Sequence, residues 1–248
     1  MHICKKNCNF AAILRAHAFN IYMTLVFASN NAHKLSEVRQ IMPNTHILSL
    51  EEIGFLSDID ETGSTLDENS MLKAQTVWEW LSNNSASKAK NIAIDGVFAD
   101  DTGLEIDTLN GAPGVYTARW YMMEEGGCQM SDVRCQILDG GCQMLDGAGQ
   151  NRAKALRVLA GNTQRGAQFR TVITLIRMEK EAPSTIQVEG IVRGRIAEEE
   201  YGDGGFGYDP IFIPEGYDKT FAELPAEVKN SISHRGRALA ALVKLQNL

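Results

Sequence analysis

The sequence has no block of basic residues, no Cys-x-x-Cys pair, no Gly-x-x-x-x-Gly-Lys loop and no apolar run long enough to cross a bilayer. Each absence removes a class of function. With a net charge of -7 the chain is a poor partner for a nucleic acid polymer, whose phosphates demand clustered Lys and Arg. No membrane span is expected. The five cysteines offer no zinc-ribbon or thioredoxin spacing and are odd in number, so free thiols in a reducing, cytoplasmic setting are expected. Without a phosphate-cradling Gly-Lys loop the chain is not a Walker-type kinase or ATPase.

What remains is ordinary globular composition: 44% hydrophobic and 22% charged residues over 248 positions, ample for a buried core. Lys5 and Lys6 before the apolar Phe10–Leu14 stretch superficially suggest a signal peptide, but Arg15 and His17 interrupt the apolar region. Residues 1–22 read as a loosely ordered extension, and 23–248 as a single domain opening at Met23. A buried strand is predicted at 24–29, a helix over Ala32–Met42 stopped by Pro43, and a short strand at 46–50. Thr65-Leu66-Asp67-Glu68 predicts a reciprocal capping box on a helix running to Leu81. Residues 92–100 read as a strand that ends in a turn at Asp100-Asp101-Thr102-Gly103, with extended chain resuming over Leu104–Asp107. Further expectations are a helix over Asn151–Ala160 capped by Gly161, strands at 168–178, 186–197 and 211–213, and a last helix from Ser233 to Gln246. Alternating helices and strands followed by adjacent strands give an α/β fold with a mixed sheet flanked by helices. Residues 126–146 repeat a seven-residue unit, with Cys128, Cys135 and Cys142 in register. A seven-residue period suits a helix stripe, but the Gly-Gly pairs weaken any helix, so the repeats read as a duplicated surface loop.

Four segments carry chemistry. Ser29-Asn30-Asn31-Ala32-His33-Lys34 joins the first strand to the first helix, where free N–H groups and the helix dipole favour an anion and Lys34 adds a charge. Asp100-Asp101, with Glu61 upstream, offers the oxygen ligands that Mg²⁺ prefers and a carboxylate to hold a water. Gly204-Gly205-Phe206-Gly207-Tyr208-Asp209-Pro210 lets backbone approach a ligand, with Phe206 and Tyr208 as a stacking face and Asp209 as an acceptor. Lys229 with Ser233-His234-Arg235-Gly236-Arg237 places cations at the start of the last helix, against its dipole, a local conflict that points to use.

In order along the chain, Phe27–Lys34, Glu61-Thr62-Gly63 through Glu68-Asn69 to Lys73-Ala74, Phe98–Leu104, Gly111–Arg119, Gly204–Pro210 and Ser231–Gly236 resemble the inosine/xanthosine triphosphate pyrophosphatase family over about residues 24–248. The resemblance implies an elongated central mixed sheet, two lobes with a cleft between them, and a homodimer. It implies Mg²⁺-dependent hydrolysis of deaminated purine nucleoside triphosphates to the monophosphate and pyrophosphate. By the same resemblance Ser29, Asn30, Asn31, Ala32, His33 and Lys34 hold the triphosphate with Lys73 and Lys229. Glu61 and Asp101 sit at the metal, Asp101 is the base for the attacking water, and Thr102 touches substrate. Phe206, Gly207, Tyr208, Asp209, His234 and Arg235 hold the base. A related enzyme acting on other bases and a non-catalytic nucleotide binder are the competing readings; the intact Asp101, Glu61 and Lys73 speak against the second. The extension and the repeats are departures from the family pattern.

Overall fold

The computed structural model describes residues 23–84, 92–123, 135–138 and 141–246. The expectations for residues 1–22 lie outside the described residues. A seven-stranded mixed sheet organises the chain. Strand β1 (Thr24–Phe27) is buried along its whole length because it pairs in parallel with β2 (His46–Leu48) on one side and β3 (Gly96–Ile106) on the other. Beyond β3 every pairing is antiparallel: β4 (Pro113–Gly114) on β3's far end, then β7 (Gly166–Glu179), β8 (Ala182–Ile196) and β9 (Phe212–Pro214) in sequence. The α/β class with a mixed sheet holds.

Helices cover the parallel end on both faces. Helix α1 (Ala32–Ile41) and the C-terminal helix α6 (His234–Gln246) enclose a cluster of Leu25, Phe27, Val38, Phe98, Ile173 and Leu239. On the other face α2 (Leu50–Ile53) and α3 (Leu66–Asn83) pack Leu50, Ile53, Ala74 and Val77 against Val26, Val97 and Ala99. A third cluster, with Leu104, Ile106, Trp120, Phe169, Phe212 and Phe221, lies at the antiparallel end beneath α4 (Gly147–Val158). The short α5 (Ala226–Ile232), absent from the sequence reading, precedes α6.

Three expectations change. Asp100-Asp101-Thr102-Gly103 is not a turn: β3 runs unbroken for 11 residues because β7 pairs with all of them. The capping box at Thr65 is only half formed. Thr65 Oγ1 accepts from Glu68 N–H, but the Glu68 carboxylate reaches past it to the Ser64 N–H and hydroxyl. Of the repeats, expected as a surface loop, β5 (Cys135–Leu138) and β6 (Gly141–Met144) form a hairpin in which Ile137 pairs with Cys142. Residues 126–134, Cys128 among them, lie outside the described residues.

Helix α6 reaches the sheet at one glycine. A Cβ on Gly190 of β8 would lie 2.1 Å from the His234 carbonyl and 2.4 Å from the Ala238 nitrogen, both backbone atoms that a side-chain rotation cannot move. Gly190→Ala is expected to cost about 3 kcal/mol and to lower Tm by on the order of 10 °C in calorimetry. A Tm within 2 °C of the parent, on the order of 0.5 kcal/mol, would show that α6 can slide.

Candidate active site

The sheet topology leaves a notch. Parallel β1 stays beside β3 only as far as Phe98, and antiparallel β4 begins at Leu104. Between them one edge of β3, from residue 99 to 103, has no neighbouring strand among the described residues, and there the chain leaves β1 for the N-terminus of α1. This is the region outside the carboxyl ends of parallel strands where α/β sheets bind ligands. A cleft of about 1020 Å³ opens over it, lined by Ser29, Lys34, Glu61, Lys73, Asp101 and Thr102 at one end and by Phe206, Gly207 and Lys229 at the other, with His234 linked to Thr102 through Thr171.

Strand periodicity sends the two aspartates to opposite faces. Asp100 turns toward α1 and α6. Lys34 Nζ donates to its Oδ1 at 2.9 Å, and Arg235 reaches its Oδ2 from Nε and Nη2, each at 2.9 Å. Burial alone would raise the Asp100 carboxyl, but Lys34, Arg235 and Lys73 together hold it well below the usual carboxylate range. Asp101 turns toward α3, where Lys73 Nζ donates to its Oδ1 at 2.9 Å and Asn69 Nδ2 to its Oδ2 at 3.3 Å. Lys73 also donates to Glu61 Oε1 at 2.7 Å, so one ammonium bridges the two carboxylates. Burial pushes Asp101 up, against the pull of Lys73 and Lys34. Glu61 is held low by Lys73 despite its partial burial. Among the described residues, no group of three or more His, Cys, Asp or Glu side chains is arranged to hold an ion.

At the α1 junction Asn31 caps the helix, its Oδ1 accepting from Lys34 N–H at 3.1 Å, and Ser29 Oγ accepts from Asn31 N–H at 3.2 Å. Asn30 is exposed and 3.5 Å from Asp58. His33 projects to the other end of the cleft and stacks on Phe206, with ring centroids 5.4 Å apart.

The base-side residues divide differently from the sequence expectation. Phe206 is available as a stacking ring, but Tyr208 is only 4% exposed, packs into the antiparallel-end core and donates its hydroxyl to the Thr117 carbonyl at 3.0 Å. An aromatic two positions from Phe206 sits in the core because the loop bends sharply at Gly207, where φ is +63°. Asp209 Oδ2 takes the Phe206 N–H at 2.7 Å and Lys229 at 2.6 Å. Lys229, expected with the triphosphate, lies beneath the Phe206 ring at 4.9 Å and pairs with Asp209 and Glu37, not with the residues around Lys73. Arg235 is 2% exposed, and its guanidinium is engaged by Asp100 and Glu37, which answers the unfavourable helix dipole at the start of α6. Thr102 Oγ1 and His234 Nδ1 both meet Thr171 Oγ1, at 2.7 and 2.5 Å.

Burial, then Arg235 and Lys229, push His234 well below its ordinary value, so it is neutral. The unfolded imidazole binds a proton below pH 6.5 that the buried one refuses. Stability therefore falls as pH drops from 6.5. His234→Asn is expected to flatten that dependence in denaturant titrations, and an unchanged slope would assign it elsewhere.

Glu37, Asn69, Arg152 and Thr171 were missed as site residues. Glu37 lies one turn beyond Lys34 on α1, a spacing that places both on one face. The others carry no local signal.

Known proteins resemble this chain over most of its length. A sequence model of the Ham1 family matches residues 25–245. The dITP/XTP pyrophosphatase of Flavobacterium johnsoniae is 43% identical over 224 residues, 90% of this chain and 97% of that protein. The dITP/XTP pyrophosphatase of Chlorobaculum tepidum is 37% identical over 231 residues, 90% of this chain and 92% of its own. Among solved structures, the Staphylococcus aureus Ham1 protein superimposes with a TM-score of 0.65 at 35% identity, covering 90% of this chain and 98% of its own. A HAM1 protein from Coxiella burnetii gives 0.65 at 32% identity over 91% and 98%. By the reach of the family match and the identity of these relatives over nearly their whole length, the chain belongs to the Ham1 family.

Proposed function

We propose that the chain hydrolyses deaminated purine nucleoside triphosphates (ITP, dITP and XTP) to the monophosphate and pyrophosphate, clearing them from the nucleotide pool. The observation that carries this reading is the division of one cleft into a polar end with Lys34, Lys73, Glu61 and Asp101 and an aromatic end with Phe206 on His33. The names of the bacterial relatives, dITP/XTP pyrophosphatase, support two of these substrates.

In this reading the N-terminus of α1, from Ser29 to Lys34, cradles the triphosphate, and Lys73 adds charge beside it. The donor set suits Mg²⁺. Two oxygen ligands, Glu61 and Asp101, share one cation in Lys73, and Mg²⁺ binds through one or two carboxylates together with substrate phosphates rather than in an all-protein cage. When bound there, Mg²⁺ supplies charge neutralisation on the phosphates. Asp101 accepts the proton of the water that attacks the α-phosphorus; its burial raises its pKa toward the range in which a carboxylate works as a base. Thr102 lines the path beside it. The homodimer and the cytoplasmic setting are part of the proposal and rest on the family resemblance.

Selectivity follows from donors. Hypoxanthine and xanthine carry an oxygen at position 6, where adenine carries an amino group. With Arg235 engaged by Asp100 and Glu37, the loop N–H groups of Gly207 and Tyr208, which have no hydrogen-bond partner among the described residues, are available as donors at the aromatic end, as is His234. An unmatched donor costs about 1–3 kcal/mol, so ITP is expected to exceed ATP by about 10- to 100-fold in kcat/KM. Initial rates of pyrophosphate release from ITP, XTP, dITP, ATP and GTP, with Mg²⁺ and with EDTA, test the reading. Fast, EDTA-sensitive release confined to the deaminated substrates supports it, and equal turnover of ATP and ITP overturns the selectivity.

A further inference from the structure

Helix α4 carries three polar side chains that the proposed chemistry does not use. Asn151, 3% exposed, accepts from the Tyr121 N–H at 2.7 Å and donates to the Ala118 carbonyl at 3.0 Å. Lys154, also 3% exposed, donates to the Trp120 and Met123 carbonyls at 2.9 and 2.7 Å. Together they fasten the segment Thr117–Met122, which supplies Thr117, Ala118 and Tyr121 to the cleft wall.

Arg152 faces the other way. Its Nη1 donates to the Gly207 carbonyl at 2.9 Å, and its Nε lies 3.0 Å from Glu200 Oε1. Gly207 belongs to the loop that carries Phe206. That loop holds Gly205 and Gly207 at φ +71° and +63°, a backbone that glycine permits but does not stiffen. On one side of Phe206 its N–H is tied by Asp209. On the other, Arg152 holds the Gly207–Tyr208 peptide by its carbonyl. In a trans peptide the C=O and N–H point in opposite directions, so a fixed Gly207 carbonyl fixes the direction of the Tyr208 N–H. A cation on the carbonyl also polarises that peptide and strengthens its N–H as a donor.

We propose that Arg152 is a positioning residue for purine recognition, setting the plane of the Gly207–Tyr208 peptide and with it the Tyr208 N–H and the Phe206 ring. The inference rests on the assignment of this end of the cleft to the base. It places no demand on the reacting phosphate, so Arg152 acts on binding of the base-bearing part and not on the chemical step.

The test compares the parent with Arg152→Ala and Arg152→Lys in steady-state ITP hydrolysis, in calorimetric titration with IMP without metal, and in thermal melting. Arg152→Ala is expected to raise KM for ITP and Kd for IMP by about tenfold, the effect of one charge-assisted hydrogen bond, with kcat within about twofold. Arg152→Lys, which keeps a cationic donor on a long stem, is expected to recover most of the loss. Unchanged KM and Kd in Arg152→Ala overturn the proposal, as do a fall in kcat and Tm without a change in Kd, or a lysine variant no better than alanine. A parent that releases no pyrophosphate from ITP and does not bind IMP overturns the functional reading as well. A parent active on ITP with indifferent variants overturns the role of Arg152 alone.

Discussion

Asp101→Asn is expected to lower the rate of pyrophosphate release from ITP by about 10³-fold, within the range typical of a lost general base. The side chain keeps its shape and one oxygen for Lys73, while its new amide group faces Asn69 Nδ2, so one hydrogen bond beside β3 is lost. What disappears is the capacity to take a proton. Stability should hold to within about 1 kcal/mol. Burial already disfavours the ionised carboxylate at this position, and a neutral amide removes that penalty. The informative combination is a near-parental Tm with turnover all but abolished. A variant that keeps more than about a tenth of parental kcat would leave the protein without its base at Asp101, because a tenfold loss is below what base removal produces.

Arg235→Met has the larger consequence for the fold. The guanidinium is 2% exposed and ties Asp100, 1% exposed, to Glu37, joining β3, α1 and α6 in one buried network. Methionine fills much of the volume but leaves Asp100 with Lys34 as its ammonium partner. Removing one member of a buried ion pair costs about 3–5 kcal/mol, and the expected loss lies in that range near neutral pH. The sign of the pH dependence is fixed by Asp100. Its folded pKa is depressed below 3.8, so its stabilisation is complete above that value and is lost as pH falls through the folded pKa. The difference between parent and variant should therefore shrink in acid, as the variant's carboxylate takes up a proton that Arg235 still keeps off Asp100 in the parent. Chemical denaturation at neutral pH and again near pH 3 reads both effects, and a loss below about 1 kcal/mol would mean that the network is replaceable.

The two aspartates show how far the sequence was legible. That a pair of carboxylates after a buried strand belongs to a site was readable from residue type. That they occupy the middle of a strand was not, because the pairing that keeps residues 100–103 extended comes from β7, about 70 positions away. Once the strand is continuous, adjacent aspartates must part to opposite faces. Asp100 then joins a structural network with Arg235, and Asp101 joins Lys73 at the cleft. Sequence alone treated both as equals until the family resemblance chose between them.

The same holds at the aromatic end. Gly-Gly-Phe-Gly-Tyr-Asp announced a loop whose backbone can approach a ligand, and its residues line the cleft. The sequence did not reveal that Tyr208 turns into the core while Phe206 remains in the cleft, since that division follows from the left-handed residue between them. Glu37 and Arg152 were invisible for a simpler reason. A single charged residue on a helix is most often solvated, and only the folded chain brings Glu37 to Lys229 and Arg235 and Arg152 to Gly207. By contrast, α1, α3 and the β7–β8 pair were legible because caps, an apolar face and β-branched runs are local signals.

The central claim is that water attacks the α-phosphorus and pyrophosphate leaves as one unit. It is tested most directly by hydrolysing ITP with Mg²⁺ in ¹⁸O-labelled water and following the products by ³¹P NMR. IMP and pyrophosphate as the products, with the label in the IMP phosphate, is the expected result. IDP and inorganic phosphate, or label in the pyrophosphate, would contradict it.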